Sequence, residues 1–380
     1  MQKNYFILSM KFLRISSLYP QLISQYYNNF KFIKKQRYKN QYNHVMSQKF
    51  SISNFLTREI EKKNIKTFEI ISNLKYLQLA WLKEFGDKNK KKSIIAQQIL
   101  YYNPDIIFFG NIDLIDNEIL EILNEDSFKK VIKIVYHCAP ITQNQIYKLK
   151  HLTFLVTCVE DYKKKFKYFI DTILIPHAFD RSCYKEVKRR DIDISFIGSL
   201  FLKKKLHLNR VEILYKIIRS NMRSYISVNF KNFYINFFII ILKNIIFNAP
   251  IVFKILYIFI NSRKAVFGKR MYEVLQRSKV MLNMHIADTK YAGNMRLFEG
   301  TGSGCLVVTD YKNGLEKYFT NEKEVLVYNC YSEAFDLIKN SVSNYKILKK
   351  ISQLGQKKTF LNYNYNESAK ILLSHIKKYS

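Results

Sequence analysis

Short apolar runs alternate with longer, helix-like stretches through the first half of the chain. The run at 104–109 is almost continuously apolar, which is typical of a parallel strand buried on both faces. Further candidate strands lie at 11–17, 67–71, 131–136, 154–157 and 173–175. Strands separated by helical stretches predict a doubly wound α/β domain.

Polar and charged residues collect between positions 180 and 190, and a second α/β series follows them. Its candidate strands lie at 192–198, 280–284 and 324–328, and its candidate helices at 209–218 and 271–278. The sequence therefore predicts two Rossmann-like doubly wound domains that face each other across a cleft. We place the first domain at 1–180, with an upstream extension at 1–9. The second is placed at 191–360 with a hydrophobic insert at 228–262, and a last helix at 361–380 is expected to pack back on the first domain.

The segment 294–310 predicts a loop, a short helix, a glycine break and a buried strand. Asn294 is the expected N-cap, and the free N–H groups of a helix N-terminus bind phosphate readily. Arg296 adds a guanidinium group, which suits a diphosphate. Glu299 lies on the same helix face, where its carboxylate suits the two hydroxyls of a ribose. Together these residues predict a site for a nucleoside diphosphate.

Each residue of this segment also has a simpler interpretation. Arg296 and Glu299 can form an ion pair with each other on the helix surface. Gly302 and Gly304 allow a tight turn from helix to strand and a close backbone approach to a ligand, but a glycine here also serves as an ordinary helix C-cap. The sequence leaves these alternatives open.

Ligands of doubly wound domains bind beyond the carboxyl ends of the strands, and several candidate residues stand there. We expect Gly198 to open a phosphate-binding loop, with the lysines at 203–205 neutralising a leaving diphosphate. His137 is a candidate general base, because neutral imidazole accepts a proton near pH 7. His285 is a second candidate catalytic residue beside the 294–310 segment, and His177 and Asp180 are candidates for lining the cleft. A structural role for the histidines and a solvated charge run for the lysines are the alternatives.

The formal net charge of +33 comes from 63 Lys and Arg residues against 30 Asp and Glu residues. Such an excess is typical of proteins that contact nucleic acid, anionic lipid or phosphorylated substrates. The lysines are spread along the chain, however, whereas a nucleic-acid module concentrates them on one element. Enrichment in Lys, Asn, Ile and Tyr is also expected of an AT-rich genome. We therefore predict no specific nucleic-acid partner.

The cysteines are Cys138, Cys158, Cys183, Cys305 and Cys330. Their number is odd and no CxxC pair occurs, so we expect buried free thiols in a reducing cytosol rather than a disulfide or a zinc site. Asp191 and Asp193 have the DxD spacing of some metal sites, but they straddle the start of a strand and no supporting ligand is evident. We interpret them as a strand entry and predict no metal.

The hydrophobic insert at 228–262 complicates a purely cytosolic prediction. Lysines and asparagines interrupt it, and its longest uncharged run, at 232–242, is too short to cross a bilayer, which needs about 20 apolar residues. Helices that lie on an anionic membrane and a pair of buried helices both fit the pattern. The predicted location is cytoplasmic, with peripheral contact at the inner membrane face as the open question.

The chain resembles the bacterial glycosyltransferases with the two-domain GT-B architecture, and among them the CgeB-like, spore-maturation branch. The resemblance is carried by Phe-Gly-Lys-Arg-Met-Tyr at 267–272, Val-Met-Leu-Asn-Met-His at 280–285 and, above all, the segment 294–310, with weaker echoes at 78–81, 103–105 and 176–180. It implies transfer of a sugar from a nucleotide-diphosphate donor, held mainly by the C-terminal domain, to a hydroxyl acceptor at the N-terminal domain. The implied acceptors are a surface polysaccharide, a glycolipid or a protein glycan. The donor is a substrate, and no further cofactor is implied.

One position departs from the pattern of the retaining relatives, which carry two glutamates. Glu299 matches the second, ribose-binding glutamate, whereas Tyr291 stands where the first would fall. The stereochemical outcome is therefore left open, and so is an inactive glycosyltransferase-like subunit. A basic protein that binds nucleic acid or another polyanion is a further alternative. It explains the charge but not the glycine-bounded helix that carries Arg296 and Glu299.

Overall fold

The computed structural model describes residues 10–50, 53–200, 208–230, 249–286 and 289–380. The predictions for the extension at 1–9, the lysines at 203–205 and the central part of the hydrophobic insert, 231–248, lie outside these residues. The chain divides into two units. The first consists of Met1–Pro176 and Tyr365–Ser380, and the second of His177–Asn364.

The first unit is built on a six-stranded parallel sheet with the strand order β2-β1-β3-β4-β5-β6. Its strands are β1 Lys11–Ser16, β2 Lys66–Ile71, β3 Ile106–Phe109, β4 Ile132–Tyr136, β5 Phe154–Thr157 and β6 Thr172–Leu174. Its helices are α1 Pro20–Asn29, α2 Tyr38–Ser47, α3 Phe55–Glu61, α4 Lys75–Phe85, α5 Ile94–Tyr102, α6 Asn117–Asn124, α7 Gln143–Leu149 and α8 Glu160–Phe166. The six predicted strands are confirmed to within about two residues at each end.

The second unit is built on a five-stranded parallel sheet with the strand order β11-β10-β9-β7-β8. Its strands are β7 Ile192–Ser199, β8 Ser224–Asn229, β9 Ser278–Asn283, β10 Leu306–Asp310 and β11 Leu326–Tyr328. Its helices are α9 Leu208–Arg219, α10 Ala249–Asn261, α11 Gly268–Arg277, α12 Met295–Gly302, α13 Leu315–Tyr318, α14 Tyr331–Ser343 and α15 Tyr345–Asn362. Each sheet therefore has the topology expected of a Rossmann-like domain.

The last helix, α16 (Tyr365–Ile376), returns to the first unit and packs on α3. Its Ala369 and Leu372 are buried with Phe12 and Phe108 on one face of the first sheet. Leucines and isoleucines of the same strands pack with α5 and α6 on the opposite face. Because both faces are covered, these strands have the continuous apolar character that made them predictable.

Strand β8 is the strand that the sequence did not predict. Its serines and its terminal Asn229 break the apolar pattern, although Ile226 and Val228 are buried. Ser227 is buried as well, because its hydroxyl donates a hydrogen bond to the Lys264 carbonyl oxygen at 3.0 Å. A locally satisfied hydroxyl thus takes the place of an apolar side chain in this strand.

The expectation of free thiols is wrong for one pair of cysteines. Cys138 and Cys158 form a disulfide, and their Cα atoms lie 6.1 Å apart. The two residues follow β4 and β5, which are neighbouring parallel strands, so their carboxyl ends meet at the same edge of the sheet. The sequence separation of 20 residues gave no sign of this proximity. Cys183, Cys305 and Cys330 form no disulfide within the described residues. Cys183 and Cys305 are buried, as expected, whereas Cys330 is exposed.

Candidate functional site

The winding of the second unit reverses between β7 and β9. β8 lies on one side of β7 and β9 on the other, so the loops that leave β7 and β9 run in opposite directions. Such a switch point is where doubly wound sheets bind ligands, beyond the carboxyl ends of the strands. Ser199 ends β7 and His285 follows β9 at this edge, which makes it the candidate site of the second unit.

Helix α12 begins at this site with no side-chain cap. Asn294 occupies the N-cap position, as predicted, but its side chain makes no capping hydrogen bond. The side-chain nitrogen of Asn294, Nδ2, instead donates to Asn283 Oδ1 of the neighbouring β9 at 2.8 Å. Asn294 Oδ1 is buried and has no hydrogen-bond partner within the described residues. The Asn294 side chain therefore does not accept a hydrogen bond from the first backbone N–H groups of α12. Such N–H groups at a helix N-terminus are suited to binding an anion.

Arg296 and Glu299 lie on one face of α12 and are bonded to each other. Arg296 Nε also donates to the Ile197 carbonyl oxygen of β7 at 2.9 Å, so the guanidinium group connects α12 to the carboxyl end of β7. The Arg296 side chain is 28% exposed, whereas that of Glu299 is 3% exposed. Arg296 is thus the member of the pair that meets solvent. The alternative of an exposed surface pair is wrong in one respect, because Glu299 is buried beneath the helix surface.

Burial raises the pKa of Glu299, and the positive charge and hydrogen bond of Arg296 act in the opposite direction. Tyr272 of α11 gives the carboxylate a further hydrogen bond. A buried carboxylate whose hydrogen-bonding capacity is only partly used, by one guanidinium group and one tyrosine hydroxyl, is an acceptor for additional donors. This is the chemical property that a pair of ribose hydroxyls requires.

Arg210 of α9 fixes the strand ends that form the site, and the sequence gave no sign of it. The residue is 6% exposed. Its guanidinium group donates to the Ser199 carbonyl oxygen at 2.7 Å and to the Met284 carbonyl oxygen at 2.8 Å. A third bond reaches the His285 carbonyl oxygen at 3.3 Å. One buried cation therefore holds the ends of β7 and β9 together at the switch point.

His285 is bonded through both ring nitrogens. Nδ1 lies 2.8 Å from Asp310 Oδ1, so it is the nitrogen that carries the proton toward the carboxylate. Nε2 accepts a hydrogen bond from the Gly293 backbone N–H at 3.3 Å. Asp310 also accepts the His285 backbone N–H at 2.9 Å. This geometry makes His285 a clamp on the loop before α12 and argues against a role as general base.

Gly198, Gly302 and Gly304 lie in tight packing. An added Cβ would meet the Phe196 ring at 2.6 Å for Gly198 and the Phe179 ring at 2.3 Å for Gly302. Gly304 has φ +74, and its Cβ would meet the Arg190 side chain at 2.7 Å. Gly302 and Gly304 stand at the end of α12 away from its N-terminus, where they form the predicted turn into β10. Their contacts are with protein groups, so their ligand-binding role stays a prediction.

Gly302→Ala is expected to lower the free energy of unfolding by about 2 kcal/mol, because the new methyl group overlaps a buried aromatic ring. The lowered melting temperature would be measured by differential scanning calorimetry. Gly314→Ala is the reference for backbone strain alone, because its added Cβ has open space, with the nearest contact 3.8 Å away, but its φ is +78. An unchanged melting temperature for Gly302→Ala would show that Phe179 does not pack here as described.

His137 follows β4 in the first unit and is buried, with 4% of its surface exposed. Burial lowers its pKa, which favours the neutral imidazole. Its Nε2 has no hydrogen-bond partner within the described parts of the chain. The switch point of this sheet lies between β1 and β3, one strand away. There the Gly110 backbone N–H donates to the Ile15 carbonyl oxygen at 2.7 Å.

His177 and Asp180 have local partners in the second unit. The His177 ring centroid lies 6.5 Å from that of Phe298, an aromatic contact on α12. Asp180 Oδ1 accepts the Ser182 backbone N–H at 2.9 Å and so caps a short turn. Neither contact identifies a ligand, and a cleft-lining role for these residues stays a prediction.

Asp191 and Asp193 enter β7 as ion-paired residues. Asp191 bonds Arg277, and the hydrogen bonds of that arginine lower the pKa of Asp191 to about 2. Asp193 bonds Arg223 and Lys279, each at 2.8 Å. Among the residues that the structure describes, no group of three or more His, Cys, Asp or Glu side chains is placed to hold a metal ion. Asp191 and Asp193 therefore stand at the start of β7 as partners of basic side chains.

The two Rossmann-like units define the class of fold, which is that of the GT-B glycosyltransferases. Anabaena Alr3699/HepE, solved in complex with UDP-glucose, is 9% identical over 97% of this chain and 100% of its own, with a TM-score of 0.60. A glycosyltransferase from Rickettsia africae is 15% identical over 98% of both chains, with a TM-score of 0.53. Sucrose-phosphate synthase from Thermosynechococcus elongatus is 8% identical over 97% of this chain and 98% of its own, with a TM-score of 0.54.

A sequence-family model described as glycosyl transferase-like matches residues 256–374. The match contains α12 with Arg296 and Glu299, as well as β9 and β10 beside them. No curated protein sequence matches the chain significantly. The prediction of a glycosyltransferase is confirmed by this family match together with the fold. In the described ranges, no helix combines the length and the apolar character needed to cross a bilayer.

Proposed function

We propose that the protein transfers a sugar from a nucleotide-diphosphate donor to a hydroxyl acceptor, and that the second unit binds the donor. The observation that carries this proposal is the uncapped start of α12 at the switch point, with the partly exposed Arg296 beside it. Anabaena Alr3699/HepE, which shares the fold, was solved with UDP-glucose, and this supports a donor of the same chemical class.

The donor is proposed to lie with its diphosphate against the first amides of α12 and the Arg296 guanidinium group. Glu299 accepts the ribose hydroxyls, which replace part of its contact with Arg296. Asn294 Oδ1, buried and unpartnered in the described chain, is available to a further hydroxyl of the donor. The backbone after Gly198 completes the phosphate site. Positive charge and aligned amides at this point stabilise the diphosphate as it leaves, which lowers the barrier to transfer.

His137 is proposed as the general base that accepts the acceptor proton. Two observations support it: its pKa is lowered by burial, and its Nε2 lacks a partner in the described residues. A neutral imidazole with an unused nitrogen can accept a proton at neutral pH. His285 has no unused ring nitrogen and is proposed to position the donor loop.

The chain is proposed to belong to the CgeB-like branch, and its acceptor is proposed to be a glycan or a lipid-linked glycan in surface polysaccharide synthesis. The proposed location is the cytoplasm, with peripheral contact at the inner membrane face. Support for membrane contact comes from α10, whose Phe253 and Ile260 are 58% and 74% exposed, and from the excess of basic residues. No specific nucleic-acid partner is proposed.

A thermal-shift panel of UDP-, GDP-, dTDP- and CMP-sugars tests the function. A donor at a hundredfold excess over its Kd is expected to stabilise the protein by about 2.7 kcal/mol. This corresponds to a rise in melting temperature of several degrees. Arg296→Ala should remove most of that rise, whereas the exposed Arg263→Ala should keep it. A panel in which no nucleotide sugar shifts the melting temperature would contradict donor binding.

His285→Ala is expected to raise the donor KM about tenfold, because the bond that holds Gly293 in the loop before α12 is lost together with the bond to Asp310 that orients the ring, each about 1 kcal/mol. The shape of the pH profile of kcat should stay unchanged, since a positioning residue does not transfer the proton. His151→Ala, which removes a bond to Asn124 in the first unit, is the matched control. Loss of the acidic limb of the profile in His285→Ala would instead make this residue the base.

A further inference from the structure

The outer face of α10 carries a continuous apolar stripe. Phe253, Leu256, Tyr257 and Ile260 follow the spacing i, i+3, i+4, i+7, so they lie on one side of the helix. Phe253 and Ile260 are mostly exposed, and Leu256 and Tyr257 are partly exposed. We call these residues the α10 stripe. An ordinary surface helix would present polar residues on this side.

The opposite side of α10 packs against the core of the second unit. Ile255 and Ile258 are 2% and 0% exposed and belong to the core of the second unit. The stripe is therefore not needed to hold α10 in place. Single exposed apolar residues are common on protein surfaces, but four on one helical stripe indicate an interaction surface.

Aromatic residues and cations surround the α10 stripe. Tyr215 of α9 lies 5.3 Å from Tyr257 and 6.3 Å from Phe253, measured between ring centroids. The Arg219 guanidinium group lies 5.5 Å, and Lys254 Nζ 5.6 Å, from the Tyr215 ring. Apolar and aromatic groups bordered by Lys and Arg are the composition of surfaces that lie at the boundary between headgroups and acyl chains.

The charge of these elements is strongly one-sided. Residues 208–219 and 249–264 contain one acidic residue, Glu212, which is bonded to Lys254. The basic residues of the same ranges are Arg210, Lys216, Arg219, Lys254, Arg263 and Lys264. Arg210 is buried, and the others have at least partial access to solvent. A partner with a negative surface is complementary to this set.

We propose that the α10 stripe is the surface by which the protein docks on an anionic lipid bilayer. Phe253 and Ile260 insert between the acyl chains near the headgroups, and Arg219, Arg263 and Lys264 contact the anionic headgroups. The inference rests on the peripheral location proposed above, and it does not depend on sugar transfer. It places the membrane contact on the donor-binding unit.

Co-sedimentation with vesicles tests this surface. The full chain is expected to bind vesicles of phosphatidylcholine with about 30% phosphatidylglycerol and to bind pure phosphatidylcholine at least about tenfold more weakly. Phe253→Ser combined with Ile260→Ser should lower the partition coefficient on the anionic vesicles at least about tenfold, because it removes the most exposed apolar groups of the stripe. Ile347→Ser on α15 replaces an equally exposed apolar residue, 79% exposed, and should leave vesicle binding unchanged.

Two further measurements separate the outcomes. The melting temperature of the double variant and its shift by the best nucleotide sugar should match those of the wild type, so a failure of donor binding is distinguishable from a failure of docking. Wild-type binding by the double variant, or equal binding to both vesicle types, would overturn the proposal. A wild-type dimer that the double variant converts to a monomer, measured by light scattering, would assign the stripe to a second copy of the chain and would also overturn it.

Discussion

Glu299→Ala is expected to raise the KM for the nucleotide-sugar donor about a hundredfold, with little change in the fold. The carboxyl group is buried and paired with Arg296, and two hydrogen bonds from ribose hydroxyls to such a group contribute about 3 kcal/mol together. The fold tolerates the change because Arg296 keeps its bond to the Ile197 carbonyl oxygen and its access to solvent. Steady-state kinetics with varied donor would measure the effect, and circular dichroism would check the fold.

Glu299→Gln is the matched variant for this prediction. It keeps the shape and one acceptor oxygen but loses the charge, so its donor KM should lie between those of the wild type and Glu299→Ala. Glu333→Ala, at a carboxylate in the first turn of α14, controls for a change in net charge. A wild-type donor KM in Glu299→Ala would contradict the proposed ribose contact and leave Glu299 as a partner of Arg296 and Tyr272 only.

Arg210→Met is expected to lower the free energy of unfolding by about 3 kcal/mol and to reduce kcat/KM at least about a hundredfold. The replacement removes the guanidinium donor from the carbonyl oxygens of Ser199, Met284 and His285. The loss is partly offset because burial of the guanidinium group is itself costly, as its pKa, lowered to about 10, indicates. The ends of β7 and β9 then separate, and the donor site loses its geometry.

Arg219→Met on the same helix is the control for this variant, because the Arg219 side chain is exposed. It should change the melting temperature by less than about 1 °C. Arg210→Lys should recover part of the stability but little of the activity, since one ammonium group cannot reach three carbonyl oxygens as a guanidinium fork does. Wild-type stability and activity in Arg210→Met would show that the strand ends hold the site without this residue.

The strands were predictable from the sequence because burial on both faces leaves a continuous apolar run. Segments such as 106–109 and 154–157 are short, almost entirely apolar and bounded by helical stretches, which is the pattern of a buried parallel strand. β8 was not predicted because Ser227 interrupts its apolar pattern. Ser227 can be buried only because its hydroxyl donates to the carbonyl oxygen of Lys264, which is far away in sequence. The disulfide of Cys138 and Cys158 was missed for a similar reason. Only the pairing of β4 with β5 brings the two cysteines together.

The part of the candidate site that lies on α12 was predictable from the sequence. The start of α12 and the shared face of Arg296 and Glu299 follow from helical spacing alone. The Asn294 side chain was expected to cap that helix, but Asn283 on the neighbouring strand competes for it. Arg210 and Asp310 act through contacts with distant strand ends, and the positioning role of His285 depends on Gly293 and Asp310, which bond the two nitrogens of its ring. Such roles depend on tertiary neighbours and have no local signature.

A crystal structure with the nucleoside diphosphate that stabilises the protein most tests the central claim directly. The account predicts phosphate oxygens about 3 Å from the backbone nitrogens at the start of α12, the Arg296 guanidinium group against the diphosphate, and both ribose hydroxyls on Glu299. A nucleotide bound elsewhere on the chain, or one whose ribose makes no hydrogen bond to Glu299, would contradict it.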